Sequence, residues 1–119
     1  MDSAEGESLT AAFSVATEEQ PDAVVLHCAG RLTGEATGIL STEARSRIGA
    51  HRRVILDLTG VTHMDSLGLG TIAGLYVSAK TSHCRLELVN LGPNIRRLFS
   101  MTNLLSLFES AGDNTFRIP

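Results

Sequence analysis

The sequence contains no tryptophan, a single tyrosine and four phenylalanines in 119 residues, so aliphatic side chains must fill most of any core. No apolar run approaches the roughly 18 residues needed to cross a bilayer. The two cysteines, Cys28 and Cys84, sit inside apolar runs and not in a CxxC or other metal-ligand spacing. They read as buried free thiols, which suits a reducing cytoplasm. His27, His51, His63 and His83 show no i, i+4 or CxxH spacing and argue for no metal centre; His27, inside an apolar segment, reads as a core-strand histidine with a hydrogen-bond partner. Basic residues are absent before Arg31, whereas Asp2, Glu5, Glu7, Glu18, Glu19 and Asp22 all precede it. Met1 is followed by acidic and small residues, not by the basic-then-apolar pattern of a secretory leader. These features lead to the expectation of a cytoplasmic protein with no membrane insertion. The net charge of −3 gives no pull towards nucleic acid.

What is present suits one globular domain: 43% hydrophobic and 19% charged residues, in a chain long enough for one core and too short for two. From Arg31 onward ten Lys/Arg face seven Asp/Glu, with a basic group at Arg45, Arg47, Arg52 and Arg53. That group reads either as a solvated helix end and loop or as a docking patch for an acidic partner.

Residues 1–10 lack periodicity and read as a flexible tail. Ala11 to Thr17 alternates as a half-buried strand, Gln20-Pro21-Asp22 signals a turn, and Ala23 to Ala29 is a strand apolar enough for burial on both faces. Thr33 is placed to N-cap a helix from Glu35 to Ile48, with Ala36, Leu40, Ala44 and Ile48 in one row and Gly49 at its end. Arg53 to Leu58 is the next strand. A helix then starts on Ser66 and runs to about Ser82 with Leu69, Ile72, Ala73 and Tyr76 on one face. Arg85 to Asn90 alternates as a strand, with Leu86, Leu88 and Cys84 on one side. Pro93 opens a last helix that turns Ile95, Leu98 and Phe99 inward, leaves Arg96 and Arg97 outward, and breaks at Thr102-Asn103. Leu104, Leu105, Leu107 and Phe108 form a final apolar piece before a tail at 111–119. The order β-β-α-β-α-β-α predicts an α/β fold: a mixed sheet of four to five strands, mostly parallel with an antiparallel N-terminal edge strand, and three to four helices.

Ser66 follows an acid and opens an apolar-periodic helix, so as an N-cap alone it is worth about 1 kcal/mol. The same hydroxyl is also a candidate phospho-acceptor, since a phosphate there would meet free amides at the positive end of a helix. Two sharper readings fail on context. Gly68-Leu69-Gly70-Thr71-Ile72-Ala73 matches a dinucleotide fingerprint in pattern, but Gly68 lies inside the helix and not in a tight turn directly after the strand. His63, Asp65 and Ser66 are too close in sequence for nucleophile, base and orienter geometry, and no G-x-S-x-G elbow is present.

Met64-Asp65-Ser66-Leu67-Gly68-Leu69-Gly70 resembles the phosphorylation motif of the STAS domain, shared by sulphate transporters and anti-sigma-factor antagonists. Gly30-Arg31-Leu32 before the first helix, Ile55-Leu56-Asp57-Leu58 before the motif and Leu88 to Phe99 after it extend the resemblance over residues 11–110. The resemblance implies a STAS-like fold and a partner-switching regulator with no catalysis of its own and no cofactor. Ser66 would be phosphorylated by an anti-sigma factor that is a serine kinase of the histidine-kinase-like ATPase type, and reset by a serine phosphatase. Partner contacts would come from Arg31, Thr33, Asp65, Ser66, Leu67, Gly68 and Leu69. Arg31 and Thr33 stand where the family usually has two acids, and Leu67 where it often has a second hydroxyl, which implies a partner with a different charge pattern at this loop. The alternative that the family offers is a soluble STAS subunit of an ABC-type lipid-transport complex.

Overall fold

The computed structural model describes residues 12–112 and 114–117. Strands β1 (Ser14–Gln20) and β2 (Ala23–Leu32) form an antiparallel hairpin around Pro21-Asp22. A 3-10 turn at Gly34–Ala36 leads into α1 (Thr37–Ile48), followed by β3 (Arg53–Met64), α2 (Ser66–Thr81), β4 (Arg85–Val89) and α3 (Pro93–Met101). A second 3-10 turn (Leu104–Leu107) and the short strands β5 (Glu109–Ser110) and β6 (Thr115–Arg117) complete the chain. The sheet runs β1-β2-β3-β4-β6-β5, with β2, β3 and β4 parallel and the remaining pairs antiparallel.

Period-two alternation divides the sheet into two unlike faces. Val24, Leu26, Cys28, Val54, Leu56, Leu58, Leu86 and Leu88 share the buried face. Thr17 and Glu19 of β1 reach Glu43 and Arg47 of α1 from that same face, which fixes α1 there. The opposite face carries Glu18, His27, Arg53, Asp57 and Glu87. Helix α1 buries Leu40, Ala44 and Ile48 as the four-residue spacing requires. Helix α3 has Pro93 in its first turn, buries Ile95 and Phe99, and leaves Arg96 and Arg97 exposed. Tyr76 meets Phe108 edge-to-face at 5.4 Å, closing the core under the C-terminal segment.

Several local expectations change. Strand β1 runs to Gln20, and Ala11, its expected first residue, lies outside the described residues. Strand β3 continues through Thr59-Gly60 to Met64, because two bulges fit Asp57–Met64 against the shorter His27–Leu32. The buried face of α2 centres on Gly68, Ile72, Leu75 and Ala79, with Leu69, Ala73 and Tyr76 only flanking it. His27 is 44% exposed, not a core residue. The stretch expected as a C-terminal tail supplies β6, which pairs with β4 and buries Phe116. Thr33 N-caps the 3-10 turn and makes no side-chain capping bond; α1 proper starts later, at Thr37.

Candidate functional site

The C-terminal ends of β2 and β3 lie side by side, with Arg31 opposite His63 and Leu32 opposite Met64. The chain leaves β3 at Asp65, whose backbone is extended, and turns into α2. Asp65, not Ser66, is the N-cap. Its Oδ1 accepts the Gly68 N–H at 2.9 Å, satisfying one of the free amides of the first turn. Its Oδ2 accepts the Gly34 N–H at 3.1 Å, tying the loop after β2 to the start of α2. Gly34 can present that amide because it sits at φ +53°, a conformation other residues adopt at a cost. The Gly68 amide chiefly, then those of Gly34 and Leu67, outweigh burial and hold the Asp65 carboxyl below its ordinary range. Asp65 is thus an ionised clamp between two loops.

Ser66 is the first residue of the helix and is exposed. With capping done by Asp65, the Ser66 hydroxyl makes no hydrogen bond among the described residues. Leu67 beside it is 57% exposed. Arg31 is exposed and Thr33 half-buried, and the Gly34–Asp65 bond brings their loop to the Ser66 helix start. Gly68 and Leu69 have a different place. Gly68 is buried against Leu32, and Leu69 packs on the core, so both set the height of the helix start and present little surface.

Both carboxylate oxygens of Asp65 face backbone amides, His63 Nδ1 lies 3.0 Å from Thr62 Oγ1, and among the described residues His63 makes no hydrogen bond to Asp65 or Ser66. Gly68 and Gly70 lie within α2.

A second polar cluster lies on the open sheet face, joined across strands that no sequence spacing connects. Asp57 accepts from Thr59 N at 3.0 Å, Thr59 Oγ1 at 2.6 Å and Asn90 Nδ2 at 3.1 Å, and lies 3.0 Å from His27 Nδ1. His27 Nε2 lies 2.7 Å from Glu18 Oε1. Burial works to raise the Asp57 pKa, but the combined hydrogen bonds from Thr59, Asn90 and His27 prevail and hold it at about 2. Glu18 first, then Asp57, raise the His27 pKa. The pattern that could have revealed this cluster is the polar interruption at His27 and Asp57 in two apolar strands, which register places opposite one another.

The STAS domain family model matches residues 14–117, and the chain belongs to this family. The anti-sigma-B factor antagonist of Listeria monocytogenes is 39% identical over 54 residues, which is 45% of this chain and 47% of that protein. The match therefore spans about half the length of the curated relative. A solved anti-sigma factor antagonist from Mycobacterium paratuberculosis superposes with a TM-score of 0.70 at 21% identity, covering 80% of this chain and 81% of the other. The anti-sigma factor antagonist SpoIIAA gives 0.69 at 22% identity in its unphosphorylated form (84% and 90% coverage), and 0.65 at 23% in its phosphorylated form (84% and 93%). At these identities the structural likeness establishes the fold.

Proposed function

We propose that the protein is an anti-sigma factor antagonist that switches partners through Ser66. In the unphosphorylated state it binds an anti-sigma factor that is also a serine kinase of the histidine-kinase-like ATPase type. Phosphorylation of Ser66 releases it, and a serine phosphatase returns it to the binding form. The protein is a binding partner in this cycle and not an enzyme. Arg31, Thr33, Asp65, Ser66 and Leu67 form the docking surface, with Gly68 and Leu69 seating the helix start beneath it.

The observation that carries this reading is an exposed Ser66 whose hydroxyl is left free because Asp65 caps the helix. A phosphate at that position adds a charge of roughly −1.5 to −2. The positive helix terminus accommodates it without unfolding the domain. The ionised Asp65 carboxylate alongside repels it, so the modification changes the docking surface more than it stabilises the fold. The names of the Listeria relative and of SpoIIAA support the partner class.

The test is binding to the cognate anti-sigma factor by Ser66→Asp and Ser66→Ala variants. Ser66→Asp is expected to abolish binding and Ser66→Ala to retain it. Equal binding by both would remove the switch from the proposal. Intact mass of protein from its native host should show one added phosphate, located to Ser66 by fragmentation.

A further inference from the structure

At the far end of the sheet from Ser66, a shallow cavity of about 470 Å³ is lined by Asp22, Arg52, Arg53, His83 and Arg85. Register sets Arg53 directly opposite Arg85 on neighbouring parallel strands. Like charges so placed weaken a sheet. A backbone bond from Arg85 N to Arg52 O at 2.7 Å locks the third arginine to the same corner.

The three guanidinium groups are not equally neutralised. Arg53 is held by the nearly buried Glu87, with Nε donating to Oε2 at 2.9 Å and Nη2 to Oε1 at 3.2 Å. That grip uses one edge of the group and leaves Nη1 towards Asp22 at 4.0 Å, a long contact to a side chain that is 80% exposed. Such a pair is weak and easily exchanged for a better acceptor. Arg52 and Arg85 have no side-chain hydrogen bond or ion pair among the described residues. His83, exposed in the turn after α2 at φ +57°, lines the same cavity. One tethered arginine and two without a side-chain partner line one concave surface, and arginine is the side chain whose donor fork suits oxyanions.

We propose that the Arg52–Arg53–Arg85 corner is a binding site for a small multivalent oxyanion bearing phosphate or carboxylate groups. The anion takes the free Arg53 edge from Asp22, engages Arg52 and Arg85, and relieves their mutual repulsion. Strand β3 separates this corner from Ser66 by roughly 35 Å, from its length at about 3.3 Å per residue. The site is independent of the partner switch, and its test does not depend on it.

The experiment is an amide NMR titration of the full chain with pyrophosphate and, separately, with citrate, at ionic strength held constant with sodium chloride. Expected is saturable movement of amides at Arg52–Arg53 and His83–Arg85, with those at Ser66–Gly68 unmoved. Saturation by pyrophosphate alone assigns a phosphate ligand, and by citrate alone a carboxylate one. Arg52→Gln and Arg85→Gln should each weaken binding by about tenfold, the size of one lost charged hydrogen bond. Asp22→Asn should tighten it by a few-fold, which a merely structural corner would not do. Thermal melts of each variant verify folding. Saturation by neither anion, or unchanged affinity in folded Arg52→Gln and Arg85→Gln proteins, overturns the proposal.

Discussion

Gly68 and Gly70 lie two residues apart in the first turns of the same helix, yet alanine should act on them in opposite directions. A Cβ on Gly68 would lie 2.5 Å from the Leu32 carbonyl oxygen, 2.6 Å from Met64 Cγ and 3.3 Å from Leu32 Cγ. Met64 can rotate away. The Leu32 carbonyl belongs to the last residue of β2, fixed in register opposite Met64, so the helix start must retreat by about 0.5 Å to reach even a tight 3.0 Å contact. Overpacking of this kind costs about 1–3 kcal/mol. The better helix propensity of alanine offsets at most ~1 kcal/mol. The movement also stretches the 2.9 Å bond from Gly68 N to Asp65 Oδ1. Gly68→Ala should therefore lose about 1–2 kcal/mol net. At Gly70 an added Cβ meets nothing within 4 Å, so Gly70→Ala should gain up to about 1 kcal/mol. Urea unfolding followed by circular dichroism, with equal slopes checked, measures both differences. A Gly68→Ala protein as stable as Gly70→Ala would refute the close packing of α2 on the end of β2.

The remaining expectations concern titration and capping. Asp57 has a folded pKa of about 2 against an ordinary 3.8, so its contribution is complete above about pH 4 and disappears as pH falls towards 2. That contribution is at most about 2 kcal/mol, and acid unfolding of Asp57→Asn should lack that part of the pH slope. The pKa of His27 is raised, so its ion pairs stabilise fully below pH 6.5 and their contribution fades as pH climbs through the folded value. NMR titration of His27 should show Glu18→Gln moving that value down towards the ordinary one; no movement would discount the pair. Burial pushes the Cys28 thiol up to about 12 and also raises that of Cys84, so neither should react with a thiol reagent at pH 8 until the chain is denatured. Asp65→Ala should speed hydrogen exchange at the Gly34 and Gly68 amides, whereas Ser66→Ala should leave both protected.

The elements legible in the sequence were those with uninterrupted periodicity. The Leu40, Ala44, Ile48 row of α1 and the Leu86, Leu88 alternation of β4 each place their own buried face. The sequence marks β3 only as far as Leu58, where the apolar run ends, and the bulges that let β3 continue depend on pairing with β2, which no local pattern encodes. Strand β6 is invisible locally for a related reason: three residues carry too little alternation to stand out, and Thr115–Arg117 are strand only because they pair with the edge of β4. His27 has the hydrogen-bond partners its place among apolar neighbours calls for, but not the burial. Alternation turns it to the open face, where Glu18 and Asp57 hold it.

The start of α2 shows the same division between local and non-local information. Spacing marks the start of α2 at Asp65-Ser66 but cannot say which of two adjacent capping residues caps. The answer depends on Gly34, distant in sequence, which needs an acceptor for its amide and finds it in Asp65 Oδ2 while Oδ1 serves Gly68. A serine at position 65 could not serve both with equal strength, because an ionised carboxylate offers two oxygens and charge-assisted bonds. With Asp65 committed in this way, the Ser66 hydroxyl carries no structural duty. This removes the ambiguity that attends mutation of a capping serine: loss of binding in Ser66→Ala could not be assigned to a frayed helix. The Ser66→Ala and Ser66→Asp pair therefore compares charge at one exposed position on an unchanged scaffold, and equal stability of the two folded proteins is the condition that makes their binding difference interpretable.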